Sequence, residues 1–383
     1  MEPSAAPSLS ATPVRIEFVD GLRALAALFV VLHHAWLIIW PVYYKEYPEK
    51  GWPESLTTWL SYGHFPVTFF IVISGFCLGL PIARKGAEGW KGAWNFYSRR
   101  ARRIIPPYYA SMVVIGILIL TLIGERTGTH WDGNATINWG RVGYAFLMLN
   151  NVVPGSSING VYWSIAVEWQ IYLVFPLLVV LWLRFGVWWA TLAATLVGYA
   201  VAYYTANTPY ILLSGQFYAM FALGFLAAYL AHNPTWVKRL SKVPWALVSV
   251  LLLAALGFHL RTISLMTAMP WFPIYDIVVG LAALCVLLAG CFGDRRVNGL
   301  LCTRPLLQIG AFSYSLYLMH MPILQLAWQY TIRPMWLPEW EQFKLLAIFG
   351  VPACLLTAWL FYILIERHFD PAAAKRSRQE HVV

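Results

Sequence analysis

A run of about 20 predominantly apolar residues is long enough to cross a bilayer as a helix, and this chain repeats that run along its whole length. Such segments fall near residues 22–41, 60–82, 106–124, 161–183, 187–205, 210–231, 244–260, 272–292, 308–330 and 345–366. The expected fold is therefore all-α, a polytopic integral membrane bundle of about ten transmembrane helices. A further apolar stretch near 142–153 is too short to span and is expected at the membrane interface. Of the 383 residues, 60% are hydrophobic and only 11% charged, whereas a soluble domain carries about 25% charged residues.

The net charge of +10 could suggest nucleic acid or anionic lipid, but its distribution points to topology. Ten spans place both termini on one side. If that side is cytoplasmic, it holds 20 of the 27 Lys and Arg residues, including seven between Arg84 and Arg103. The other side holds Lys45, Lys50, Arg126, Arg141, Arg261, Arg333 and Lys344. Such a bias is the signature of cytoplasmic loops, so both termini are expected inside and no nucleic-acid partner is expected. Trp36, Trp40, Trp59, Trp163, Trp188, Trp189, Trp245 and Trp271 sit at span ends, where amphipathic rings favour the interface. The expected organisation is a disordered tail over 1–14, a membrane domain over 15–368 and a basic cytoplasmic tail over 369–383. No cleaved signal peptide is expected before the first span, whose apolar run carries Arg23 and two histidines. The five cysteines contain no CxxC and read as reduced and structural.

Within the first expected span, RIEFVDGLRALAALFVVLHHAWLIIW, Arg23 precedes His34 by eleven residues. Eleven residues turn a helix by about 1100° and raise it by about 16 Å, so the two side chains share a face. An ionisable group at mid-bilayer is costly unless it faces protein or a water-filled cavity, and so marks function. Histidine moves protons near neutral pH. His34 is thus the first candidate for chemistry; Asp20 lies one turn below Arg23. His33 points about 100° away and reads as structural or supporting.

The basic stretch RRARRIIPPYY, 99–109, carries a second candidate. Basic clusters at this position serve topology and anionic lipid. Arg100 and Arg103, three apart, also share a helical face, and arginine forks suit phosphate, so a phosphorylated cytoplasmic cofactor is expected there. Pro106 and Pro107 are expected to fix where the third span starts. Glu168 enters the fourth span and needs a partner such as a histidine, an arginine or a hydroxyl; it reads equally as half of a structural ion pair. His320 is expected mid-span with the small residues Ser313 and Ser315 below it, and a satisfied structural histidine and a catalytic one fit it equally. Asp276 is a further intramembrane acid with no legible role. No GxSxG, HExxH or GxxxxGK[ST] occurs, so serine hydrolase, zinc protease and ATPase chemistries lack motif support, and no metal is expected. The sequon at Asn134 carries no argument.

Taken together, DGLRALAALFVVLHH, FFIVISGFCLG, FYSRRARRIIPPYY, WSIAVEWQIYLVFP and SYSLYLMHMPIL resemble, in order and spacing, the membrane acyltransferase-3 family. The resemblance covers residues 15 to about 325. Members are integral membrane enzymes that move acyl groups, often acetyl, from acyl-CoA to hydroxyls of sugars and other acceptors. The resemblance implies His34 as the catalytic histidine, Arg23 as its motif partner, and Arg100 with Arg103 as the acyl-CoA pair. Glu168 falls on the first of two acids usual in relatives; the second is Trp169 here. Asp20, His33, Ser315 and His320 would support the site. Acyl-CoA, acetyl-CoA above all, would be the co-substrate. The acceptor would be a surface or exported glycan, or alternatively a small metabolite such as an antibiotic, and the protein would be a multi-pass enzyme of a bacterial inner membrane. Many relatives carry an additional extracytoplasmic esterase-like domain, and a stand-alone enzyme is expected here. The rival class is a transporter, because polar residues in a bundle also mark substrate paths.

Overall fold

The computed structural model describes residues 16–41, 57–124, 127–133, 139–152, 158–206, 208, 213–263 and 265–370. The expected tail before residue 15, most of that after 368, and the Asn134 sequon lie outside these residues. No strand occurs among the described residues. A hydrocarbon layer offers the backbone no hydrogen-bond partners, so long apolar segments must satisfy their own N–H and C=O groups as helices.

The principal helices are α1 (Glu17–Ile39), α2 (Phe65–Lys85), α3 (Ala93–Leu118), α4 (Trp139–Phe146), α5 (Tyr162–Phe185), α6 (Val187–Thr205), α7 (Gln216–His232), α8 (Trp245–Arg261), α9 (Phe272–Cys291), α10 (Arg304–Ala311), α11 (Ser313–Ala327) and α12 (Val351–Phe361). Within the described residues, each of the ten expected spans is mostly helix. Among the described residues, seven helices are long and apolar enough to cross a membrane, or eight if the pair Pro234–Leu240 and Trp245–Arg261, bent by 69°, is one span. The count falls short of ten for physical reasons. Helix α7 has only 17 residues, and α11 is separated from α10 by a break at Phe312. The short apolar stretch forms α4, whose Trp139 is exposed.

One expectation needs correction. The third span does not start at Pro106: α3 runs unbroken from Ala93 through Pro106 and Pro107. Packed surroundings at membrane depth tolerate proline inside a helix, so the arginines and the apolar part of the span belong to one rod.

Small residues set the helix spacing. A Cβ on Gly75 of α2 would stand 2.0 Å from the Phe221 carbonyl oxygen of α7, and one on Gly224 of α7 would stand 2.0 Å from that of Val72. The two backbones touch there, as small residues allow where lipid supplies no hydrophobic drive between helices. This packing presses the FFIVISGFCLG segment against α7 and turns Ser74 towards α5, where its hydroxyl meets Glu168.

Candidate active site

Helix α1 places Arg23 and His34 as its period dictates. Arg23 Nη1 donates to Asp20 Oδ1 at 3.4 Å, one turn earlier on the same helix. Its Nη2 lies 3.5 Å from Cys77 Sγ on α2.

Arg23, Arg100 and Arg103 line one cavity of about 110 Å³ between α1, α2, α3, α5 and α11, together with Ser74, Glu168 and Tyr172. The Arg100 guanidinium sits over the Tyr172 ring, 5.5 Å from its centroid, in cation–π geometry. Glu168 finds hydroxyl partners: it accepts from Ser74 Oγ at 2.9 Å and from Tyr172 OH. Arg23 and Arg100 both lie within its electrostatic reach. Three guanidinium groups and one carboxylate leave the cavity net cationic, which suits a polyanion.

Glu366, which motif reading passed over, supports the same cavity. It closes a wide turn at Tyr362–Glu366, is buried, and accepts from Ser315 N at 3.0 Å and from Ser315 Oγ. Arg103 acts on it electrostatically. Ser315 therefore holds an acid beside an arginine; its hydroxyl is not directed to a histidine.

His34 does not line this cavity. It belongs to a group of four imidazoles, with ring centroids 4.7 Å from His33, 4.9 Å from His320 and 5.8 Å from His130. The hydrogen bonds fix the tautomers. His34 Nδ1 faces the Val30 carbonyl at 2.9 Å, and a carbonyl can only accept, so Nδ1 carries the proton. His320 Nδ1 faces the Leu316 carbonyl at 3.0 Å and is protonated for the same reason. His320 Nε2 is then an acceptor, and it lies 3.3 Å from His34 Nδ1. His34 thus donates through Nδ1 to two acceptors and keeps Nε2 as a base. Glu168 is not the group that sets this tautomer; Val30 and His320 are. His33 Nδ1 donates to the Leu60 carbonyl at 2.6 Å, which ties α1 to the segment before α2.

The cavity and the imidazoles meet at Tyr317. Its ring lies 5.9 Å from that of His320 and 6.1 Å from Phe70, and its hydroxyl pairs with Ser164 Oγ at 2.5 Å. Tyr317, Phe70 and Ser164 all line the cavity.

Asp276 belongs to a separate cluster. It accepts from His64 Nε2 at 2.9 Å, Thr68 Oγ1 at 2.5 Å and Gln216 Nε2 at 3.2 Å. Among the described residues no group of His, Cys, Asp and Glu side chains is arranged to hold a metal ion.

Sequence reasoning brought Arg23, His34, Arg100, Arg103, Glu168 and His320 forward; Arg23, Arg100, Arg103 and Glu168 line one cavity, and His34 and His320 pair in the imidazole group. It missed Glu366, Tyr317 and His130. Glu366 left a usable signal, as an acid within the last apolar segment. His130 left none, because it lies outside every span.

The family described as "Acyltransferase domain" matches residues 16–363. Among curated proteins, "Acyltransferase MdmB" of Streptomyces mycarofaciens is 24% identical over 82% of this chain and 80% of its own length. "Peptidoglycan O-acetyltransferase OatA" of Listeria monocytogenes is 24% identical over 80% of this chain and 49% of its own. "Putative membrane-bound transacylase BcsY" of Komagataeibacter xylinus is 25% identical over 79% of this chain and 72% of its own. The chain thus spans about half the length of the Listeria relative. No solved structure matches the chain.

Proposed function

This chain belongs to the acyltransferase-3 family of membrane enzymes, and we propose that it transfers an acetyl group from cytoplasmic acyl-CoA to a hydroxyl of a surface or exported glycan in a bacterial inner membrane. The observation that carries this reading is the alignment of three arginines with an imidazole whose Nε2 is held as a free base. The charge bias of the sequence supports a cytoplasmic position for the arginine end of the bundle, where CoA is found.

In this reading Arg100 and Arg103 bind CoA phosphates, with Arg103 steered by Glu366, and Arg23 meets the donor further in. The pantetheine arm extends along α1 past Tyr317 to His34. The acceptor oxygen attacks the thioester carbonyl while its proton passes to His34 Nε2. A carbon–oxygen bond forms, the carbon–sulfur bond breaks, and the proton returns to the departing thiolate. General-base help of this kind contributes about 10²–10⁴ in rate, and held geometry adds to it. His320 acts by holding His34 in the reactive tautomer. Glu168, engaged by two hydroxyls and two arginines, organises the donor cavity.

The test is transfer from labelled acetyl-CoA by purified protein in proteoliposomes. His34→Ala in well-folded protein is expected to lower transfer at least a hundredfold, and near-normal transfer by that variant would overturn the reading. Arg100→Ala is expected to raise the acetyl-CoA KM by about tenfold to a hundredfold, since a hydrogen bond to a charged group is worth about 1.5–3 kcal/mol. Uptake of a solute without CoA release would favour transport instead. A small hydroxylated metabolite, the second acceptor class, is distinguished in the same assay by the product formed.

A further inference from the structure

The connection at 127–133 is an organised plug. Asp132 closes it, accepting from Thr127 N at 2.6 Å, Thr127 Oγ1 at 2.7 Å and Gly128 N at 2.8 Å. It is fastened to the bundle from outside its own sequence. Thr129 Oγ1 donates to Gln325 Oε1 at 2.9 Å, five residues beyond His320 on α11, and Arg333 Nη1 reaches the Thr127 carbonyl at 3.4 Å. It follows the end of α3 remote from Arg100 and Arg103. The plug therefore reaches His34 from the direction opposite to the donor cavity.

What it delivers is His130, with its ring centroid 5.8 Å from that of His34. Both His130 ring nitrogens are shielded from solvent and neither makes a hydrogen bond of normal geometry with a described residue; the Leu37 carbonyl still acts on the ring and favours its N–H. The neighbouring Trp131 is fully buried, and its Nε1 has no partner among the described residues either. A buried polar group left without a partner costs about 1–3 kcal/mol. Two adjacent residues carry this cost in a loop that otherwise satisfies its side chains with care. Such economy elsewhere marks the unpaired atoms as reserved for a ligand.

The chemistry of that ligand follows from the imidazoles. In either tautomer neutral His130 offers one N–H and one lone pair. His34 Nε2 offers a lone pair. A group that accepts from one histidine while giving its proton to the other is a hydroxyl. We propose that His130 is the acceptor-binding residue: its N–H holds the oxygen of the acceptor hydroxyl while that hydroxyl donates to His34 Nε2. This inference rests on the acyltransferase reading and adds to it the face and the residue by which the acceptor enters. Donor and acceptor then meet at His34 from opposite ends of the bundle.

The test uses full-length protein in proteoliposomes, labelled acetyl-CoA, and a disaccharide muropeptide as the acceptor probe. His130→Ala is expected to raise the muropeptide KM at least tenfold while the Kd for CoA stays within twofold, and His130→Gln, which keeps an N–H, to recover part of the loss. An unchanged muropeptide KM overturns the proposal, as does a parallel loss of CoA binding, which would mean a merely structural role. A second measurement needs no variant to fold. In wild-type protein the muropeptide should slow backbone amide exchange over residues 127–133, read by mass spectrometry, and CoA alone should not; slowing by CoA alone overturns the proposal. Slowing by the muropeptide without any transfer of label would defeat the acyltransferase reading and leave this one standing.

Discussion

At the scale of single residues, the candidate site depends on which nitrogen of each ring holds the proton. His320 does not itself line the donor cavity, yet its Nε2 takes the second share of the His34 Nδ1 proton. His320→Ala is therefore expected to lower kcat for transfer about tenfold with little change in the acetyl-CoA KM, and His320→Asn to recover part of it. An unchanged kcat would assign His320 to packing alone. Glu366→Gln keeps the shape of the acid and removes its charge beside Arg103. The expected result is a severalfold change in the acetyl-CoA KM with kcat retained, measured in the same assay. His130 carries a pH signature, because it stands outside the spans. Burial, reinforced by His34 and opposed by the Leu37 carbonyl and Asp132, pushes its pKa from the ordinary 6.5 down to about 3. The unfolded chain binds that proton more readily than the folded one. The folded protein thus keeps its full stability above pH 6.5 and loses this contribution as the pH falls towards 3. Thermal unfolding in detergent should show Tm dropping over that window, with a smaller drop in His130→Asn.

At the scale of elements, α2 and α7 are in backbone contact at Gly75 and Gly224. Gly75→Ala would drive its methyl into the Phe221 carbonyl. Overpacking of this kind costs about 1–3 kcal/mol and sometimes more, and it would also pull Ser74 away from Glu168. Lower heat stability and a raised acetyl-CoA KM are expected together, the first by size-exclusion chromatography after heating. The elements also show what could be read from sequence. Arg23 and His34 were legible because a single helix relates them, and helical period is a property of local sequence. The pair Arg100 and Arg103 was legible for the same reason. The starting point of α3 was not, because surroundings that tolerate proline lie on other helices. The partners of Glu168, the engagement of Ser315 with Glu366, and the plug that delivers His130 all join segments far apart in the chain, and no local period encodes them.

At the scale of the whole molecule, charge and chemistry share an axis. The bundle bears its arginine cavity near the start of α1 and its imidazole group towards the other end of that helix, and on the proposed reading the first faces the cytoplasm, as the Lys and Arg bias predicts. A cysteine introduced at Arg295, in a basic connection, should be labelled by a membrane-impermeant maleimide only when inverted vesicles are used. Labelling in right-side-out cells would reverse the assignment.

On the proposed reading α1, one unbroken rod, sets a fixed gauge between where a donor is gripped and where its carbonyl must arrive. Three helical turns, about 16 Å, separate Arg23 from His34. A donor anchored among the arginines brings its thioester to His34 only if its arm matches that span, so the helix measures cofactors by length. An extended acyl tail would overshoot the gauge and run into the plug that carries His130. On this account short acyl groups are favoured by the spacing of two residues on a single helix.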